Sequence, residues 1–207
     1  MTAGTAPATP STTDRSDFRH ILASGTKVGI AVGTAVVLYL LVSRFVLPGA
    51  ARALAQTLIV LAAAVAAALL PAQWATARTT QGIASAAAIG LWGTIVFMVI
   101  DIVVLRPIKA YPWTWDALGG GSTWWYLPIW WMLGTFVAWM GGIVTAARAA
   151  RGGSTSIGAL AFPVLTGTAA LTLGLFFGFP IYLPVAAGAA FTVTLTVLAV
   201  VAIARKA

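Results

Sequence analysis

Cysteine and glutamate are missing from these 207 residues, and histidine occurs once, at His20. Without cysteine there is no disulfide framework, no thiolate nucleophile and no cysteine-held zinc. A single histidine excludes bis-histidine haem and multi-histidine copper or iron sites built within the chain. It also leaves a Ser-His-Asp triad without a base near any pocket, because His20 falls in a polar N-terminal stretch. No lysine interrupts the middle of an apolar run, which argues against a retinal-type Schiff base. The triple glycine Gly119–Gly121 has no lysine after it and no strand before it, so it is not a phosphate-binding loop. No metal, haem or other cofactor is expected.

Charge is equally scarce. Only 8% of the residues are charged, where soluble domains have about 25%. What fills the chain instead is apolar: 60% of residues are hydrophobic and the mean hydropathy is +0.98. A water-soluble fold cannot cover that much apolar surface, so the composition points to a polytopic membrane protein. The net charge of +8 would suit nucleic acid, but the basic residues stand singly at the ends of apolar runs. Membrane proteins place them in that way, so the expected partner is the lipid bilayer and not nucleic acid.

Six apolar runs follow a polar tail at residues 1–22. They cover about 28–47, 53–70, 83–105, 124–147, 158–178 and 181–204, and a crossing helix needs about 20 apolar residues. The second run is short and closed by Pro71, although apolar sequence continues to Trp74. Backbone groups in lipid must pair within their own segment, so the runs are read as helices. The alternating ten-residue strands of a membrane barrel are not seen. The expected fold is an all-α membrane protein: a polar cytoplasmic tail at 1–22 and a six-helix transmembrane domain at 23–207. Within the tail, Phe18, Ile21 and Leu22 would suit a brief amphipathic turn on the membrane surface.

Orientation comes from lysine and arginine. Arg15, Arg19, Lys27, Arg78, Arg148, Arg151, Arg205 and Lys206 fall on one side of a six-span chain, and Arg44, Arg52, Arg106 and Lys109 on the other. The excess of eight over four puts both termini in the cytoplasm of a plasma (inner) membrane protein. The loop at 106–123 is then non-cytoplasmic, and it is rich in tryptophan and glycine.

Small residues mark faces where helices can approach closely in lipid. They recur as Gly29-x-x-x-Gly33, as Gly134-x-x-x-Ala138-x-x-x-Gly142 and as Gly174-x-x-x-Gly178. Threonines at 166, 168, 172, 192, 194 and 196 read as helix glue in preference to a substrate path. Three spans, a loop and three spans would permit an inverted repeat. The second and fifth runs both end at proline, Pro71 and Pro180, and no further self-similarity supports a repeat.

Two features carry candidate function. Asp101 is the only acid inside an apolar run, about 6 Å along the helix axis from Leu105. An ionised carboxylate there is costly unless paired. Arg106, five residues on, has poor geometry for the same helix face, so Arg44 and Arg52, at matching depth, are the expected partners. The structural reading is a boundary ion pair tying the third helix to the first two; the functional reading is a proton or cation site. Gly90, Thr94, Phe97 and Asp101 share one face of that helix.

The second feature is YPWTWDALGGGSTWWYLPIWW, which places Trp113, Trp115, Trp124, Trp125, Trp130 and Trp131 between the third and fourth runs. Tryptophan favours the membrane–water boundary, yet this cluster exceeds what anchoring one helix requires, and Trp130 and Trp131 lie deeper than a belt demands. An interfacial belt and an interaction surface for a lipid, a pigment, a quinone or a partner subunit both remain open. Asp116 suits a turn cap.

An acid and an arginine at a helix end followed by W-x-W (Asp101, Arg106, Trp113 and Trp115) resembles a short stretch of an integral subunit of the membrane copper monooxygenases. The metal-ligand histidines are missing, and no site residue is carried over. The expected role is a non-catalytic integral subunit or scaffold of a larger membrane complex, with other membrane subunits as partners. The alternative is a small ion- or proton-coupled transporter or channel using Asp101. A membrane enzyme that only positions lipid is a third, weaker option.

Overall fold

A computed structural model of the chain describes residues 17–108, 110, 126–179 and 181–205. The described residues are all helical apart from short links. Six helices, α1 Phe18–Phe45, α2 Ala50–Trp74, α3 Thr80–Ile100, α4 Tyr126–Ala150, α5 Ile157–Gly178 and α6 Leu183–Ala204, are each long and apolar enough to cross a membrane. A π-helical segment, Asp101–Leu105, extends α3.

The links follow from local chemistry. Asp17 caps α1 by accepting from the His20 N–H at 2.9 Å, so the helix starts at Phe18, ten residues before the apolar run. Residues 18–22 are therefore its first turns. Between α1 and α2 the chain reverses at Pro48-Gly49, where Gly49 takes a φ of 151° that a side chain would resist.

Pro71 does not end α2, which runs on to Trp74. The helix closes instead in a Schellman motif, with Thr76 N–H on the Gln73 carbonyl and Ala77 N–H on the Ala72 carbonyl. Thr76 occupies the left-handed position at φ 49°, a conformation usually left to glycine. Thr79 and Ser156 cap α3 and α5 through their hydroxyls.

Successive helices run up and down. Gln56 of α2 meets Ser43 near the end of α1, and His20 near its start meets Trp74. Gly134 lies against Thr94, and Gly142 against Ala86, as α4 descends beside α3. The start of α1 and the end of α6 therefore lie at one end of the bundle, here called the termini end; the opposite end is the far end.

Helix α2 occupies the centre and packs against all five others, while α5 rests on α6 with a smaller edge on α2. The two three-helix halves thus pack differently, with the middle helix central in one and peripheral in the other. The inverted repeat gains nothing from this arrangement.

The core sits in the middle and termini half. One cluster joins Leu69, Val137, Leu160, Val164, Phe191 and Leu195; another joins Val28, Ala72, Ala86 and Ile89. Helices come very close there. A β-carbon added at Gly25 would stand 2.8 Å from the Ile89 carbonyl oxygen, and one at Gly141 would run into the Ala68 carbonyl. His20 Nε2 donates to the Trp74 carbonyl at 2.8 Å, and Lys27 lies 5.8 Å above the Trp74 ring, fastening α1 to the end of α2.

Candidate functional site

The far half of the bundle is built differently. There α1, α2, α3, α4 and α6 surround a cavity of about 580 Å³, within the range of about 300–1,000 Å³ typical of ligand pockets. Its wall includes Val32, Val60, Ala63, Gly93, Phe97, Trp130 and Gly188. Small residues at Ala63, Ala64, Ala67 and Gly188 leave the space unfilled, while Gly90 and Gly93 in the same wall sit in close helix contacts.

The two threonines in the wall commit their hydroxyl protons to their own helices. Thr94 Oγ1 donates to the Gly90 carbonyl and Thr192 Oγ1 to the Gly188 carbonyl, both at 3.0 Å. A water held there would need two to four polar partners, which this wall does not supply. Apolar walls that touch neither side chains nor lipid forfeit their dispersion contacts. The cavity is suited to hydrocarbon.

Trp130 and Phe97 meet edge to face at the far side of the cavity, their ring centroids 6.5 Å apart. One turn beyond Phe97 is Asp101, 4% exposed. Its Oδ2 pairs with Arg106 Nε at 3.4 Å, not with Arg44 or Arg52 as the sequence reading expects. The cause is the π-helical segment. Arg106 N–H bonds back to the Asp101 carbonyl at 2.9 Å, and Ala110 N–H to the Leu105 carbonyl at 3.1 Å, both i→i+5. The wider turn brings residue i+5 back over residue i, a placement that α-helical geometry forbids. Pro107 supplies a local reason: it has no N–H to donate and its ring crowds the carbonyl four residues earlier.

Arg44 is exposed at the end of α1. Arg52 Nε is buried and makes no hydrogen bond with a described residue. Asp101 shares the α3 face of Gly90, Thr94 and Phe97 but is not among the residues lining the cavity.

A second polar group at the far end was not singled out from the sequence. Gln56, 1% exposed, donates to Ser43 Oγ at 2.5 Å and accepts from the Tyr182 hydroxyl. It ties α1, α2 and α6 together at that end. Its signal was available: it is the one amide inside an Ala- and Leu-rich run.

Of the small-residue faces, Gly29 and Gly33 lie against α3, and Gly134, Ala138 and Gly142 also lie against α3. Gly174 and Gly178 are placed otherwise: a side chain added at either would meet no described atom within 4 Å. α5 is peripheral, and this stretch of it faces outward.

Of the tryptophan cluster, Trp113, Trp115, Trp124 and Trp125 lie outside the described residues, as does Asp116. Trp130 and Trp131 are partly exposed on α4. Trp131 lines an open groove of about 710 Å³ with Ile129, Met132, Phe136 and Trp139. Trp139, overlooked in the sequence, lies 11 residues from each end of the Pro128–Ala150 span (139 − 128 and 150 − 139) and is 48% exposed.

Among the described residues no three metal-ligating side chains come together. The chain matches no family model, no curated protein and no solved structure.

Proposed function

We propose that the chain is a non-catalytic integral subunit or scaffold of a larger membrane complex, docking through the outer face of α4. The observation that carries this reading is Trp139. Tryptophan is favoured at membrane boundaries because its ring stays apolar while its N–H reaches water. Trp139 is exposed at mid-span, where lipid offers its N–H no acceptor. A partner helix lying in the groove between Trp131 and Trp139 would bury both rings and supply one.

A transport path through Asp101 receives less support. Such a path needs a polar cavity reaching the carboxylate, whereas the cavity wall is apolar and Asp101 is engaged with Arg106.

The membrane in this reading is the plasma (inner) membrane, with both termini cytoplasmic. Arg19, Lys27, Arg78, Arg148, Arg151 and Arg205 gather at the termini end, against Arg44, Arg52 and Arg106 at the far end. The chain has no cysteine, so a single cysteine at Ser154 or at Leu47 reports orientation directly. Labelling of intact cells by an impermeant reagent at Leu47 and not at Ser154 is expected; the opposite pattern inverts the topology.

Purification in mild detergent should yield other polypeptides in fixed ratio. Trp131→Ala/Trp139→Ala should release them without lowering the melting temperature of the bundle. A lone, monodisperse, fully helical monomer from native membranes would overturn the subunit reading.

A further inference from the structure

We propose that the far half of the bundle holds one anionic phospholipid, with an acyl chain in the cavity and the phosphate at Arg52. This inference does not depend on the chain being a subunit of anything.

The cavity sets the chemistry of the tail. It is lined by apolar side chains, and its two hydroxyls are committed to their own helices. Only hydrocarbon fits such a wall without stranding a polar group.

The head follows from what lies above the rim. Val60 and Val185 mark the far edge of the cavity. About one turn beyond them, Gln56 and Tyr182 hydrogen-bond across α2 and α6. One turn further along α2 is Arg52, whose Nε is buried without a hydrogen-bond partner among the described residues. Positions 52, 56, 60, 63 and 67 of α2 form one stripe at three- and four-residue spacing. The stripe passes from guanidinium through amide to aliphatic wall, which is the polarity order of a lipid molecule.

The dimensions agree. Eleven residues separate Arg52 from Ala63, about 16 Å along the axis, and one leaflet of the hydrocarbon core is about 15 Å deep. Charge agrees as well. The far end carries Arg44, Arg52 and Arg106 against Asp101 alone among the described residues, and Asp101 is paired with Arg106. A phosphate accepting from a guanidinium makes a strong, directional contact.

The test is native mass spectrometry of the purified protein, with melting temperatures in nanodiscs of phosphatidylglycerol and of phosphatidylcholine. The wild-type chain should retain one phospholipid and melt several degrees higher in phosphatidylglycerol. Arg52→Gln should lower phosphatidylglycerol retention at least tenfold and abolish the difference between the two nanodiscs, while Arg52→Lys keeps part of it. Ala63→Phe, which fills the cavity, should expel the lipid without loss of helicity.

If Arg52→Gln fails to fold, the wild-type difference and Arg52→Lys still decide. A wild-type chain that carries no lipid, that melts alike in both nanodiscs, or that holds an isoprenoid quinone in the cavity overturns the proposal. A lone monomer that still retains the phospholipid removes the subunit reading and leaves this one standing.

Discussion

The termini half and the far half of this bundle use the same small residues to opposite ends. In the first, glycine and alanine let backbones touch: Gly141 passes the Ala68 carbonyl and Gly25 the Ile89 carbonyl. In the second, Ala63, Ala64, Ala67 and Gly188 line open space. Without a hydrophobic force between helices in lipid, association rests on close packing and hydrogen bonds. The termini half supplies the packing. The far half is tied across helices by Gln56, bonded to Ser43 and to Tyr182. The lesson is that a small residue specifies permission and not contact; whether it packs or opens a room depends on how the helices splay around it.

That contrast breaks most sharply at Gly141. Gly141→Leu drives a branched side chain into the Ala68 backbone, and with no flexible neighbour to yield, the cost exceeds the usual overpacking range of about 1–3 kcal/mol. Backbone cannot swing aside as a side chain can, so the expected outcome is loss of the monodisperse helical species on size exclusion. A variant that elutes and melts like the parent would mean that the two helices do not touch there.

Next in size is the far-end ion pair. Asp101→Asn keeps the shape but leaves Arg106 partly buried without its carboxylate, a loss of about 3–5 kcal/mol for a fully buried pair. Arg106 retains some exposure, so the lower part of that range is expected. Asp101→Asn/Arg106→Gln should recover most of it, because the two charges of the pair are then removed together. Unfolding titrations in mixed micelles measure both. A double variant no better than the single one would show that the carboxylate serves another partner.

The spans themselves were legible in the sequence, because lipid permits so few backbone solutions that six apolar runs dictate six helices. Their ends were less so. The early start of α1 depends on Asp17 and on the His20–Trp74 bond, the latter a contact across 54 residues. Pro71 closes the apolar run without ending the helix, because a helix tolerates proline where neighbours cover the freed carbonyl.

The partner of Asp101 was missed for a geometric reason. Sequence periodicity assumes 3.6 residues per turn, and a π turn overturns that at one place only. Gln56 and Trp139 were visible as residue types but not as positions, since burial and exposure are set by neighbouring helices. The cavity could not be read at all: its small residues carry the same signature as those of a tight interface.

The smallest effect is also the cleanest discriminator between the halves. Gly188 lies in α6 on the cavity wall, and a β-carbon there would stand 3.4 Å from Val60 Cγ1, ordinary van der Waals contact. Glycine in a helix interior is about 1 kcal/mol less favourable than alanine. Gly188→Ala should therefore stabilise the bundle by about 0.5–1 kcal/mol, since propensity and contact act together. The same change at Gly141 forces a β-carbon onto a carbonyl oxygen, and the steric term exceeds the propensity gain. The pair should thus move the melting temperature in opposite directions, although both are glycine-to-alanine changes in the middle of an apolar helix. Shifts of the same sign would mean that the far half is as closely packed as the termini half, and that the room between α2 and α6 is filled by the protein itself.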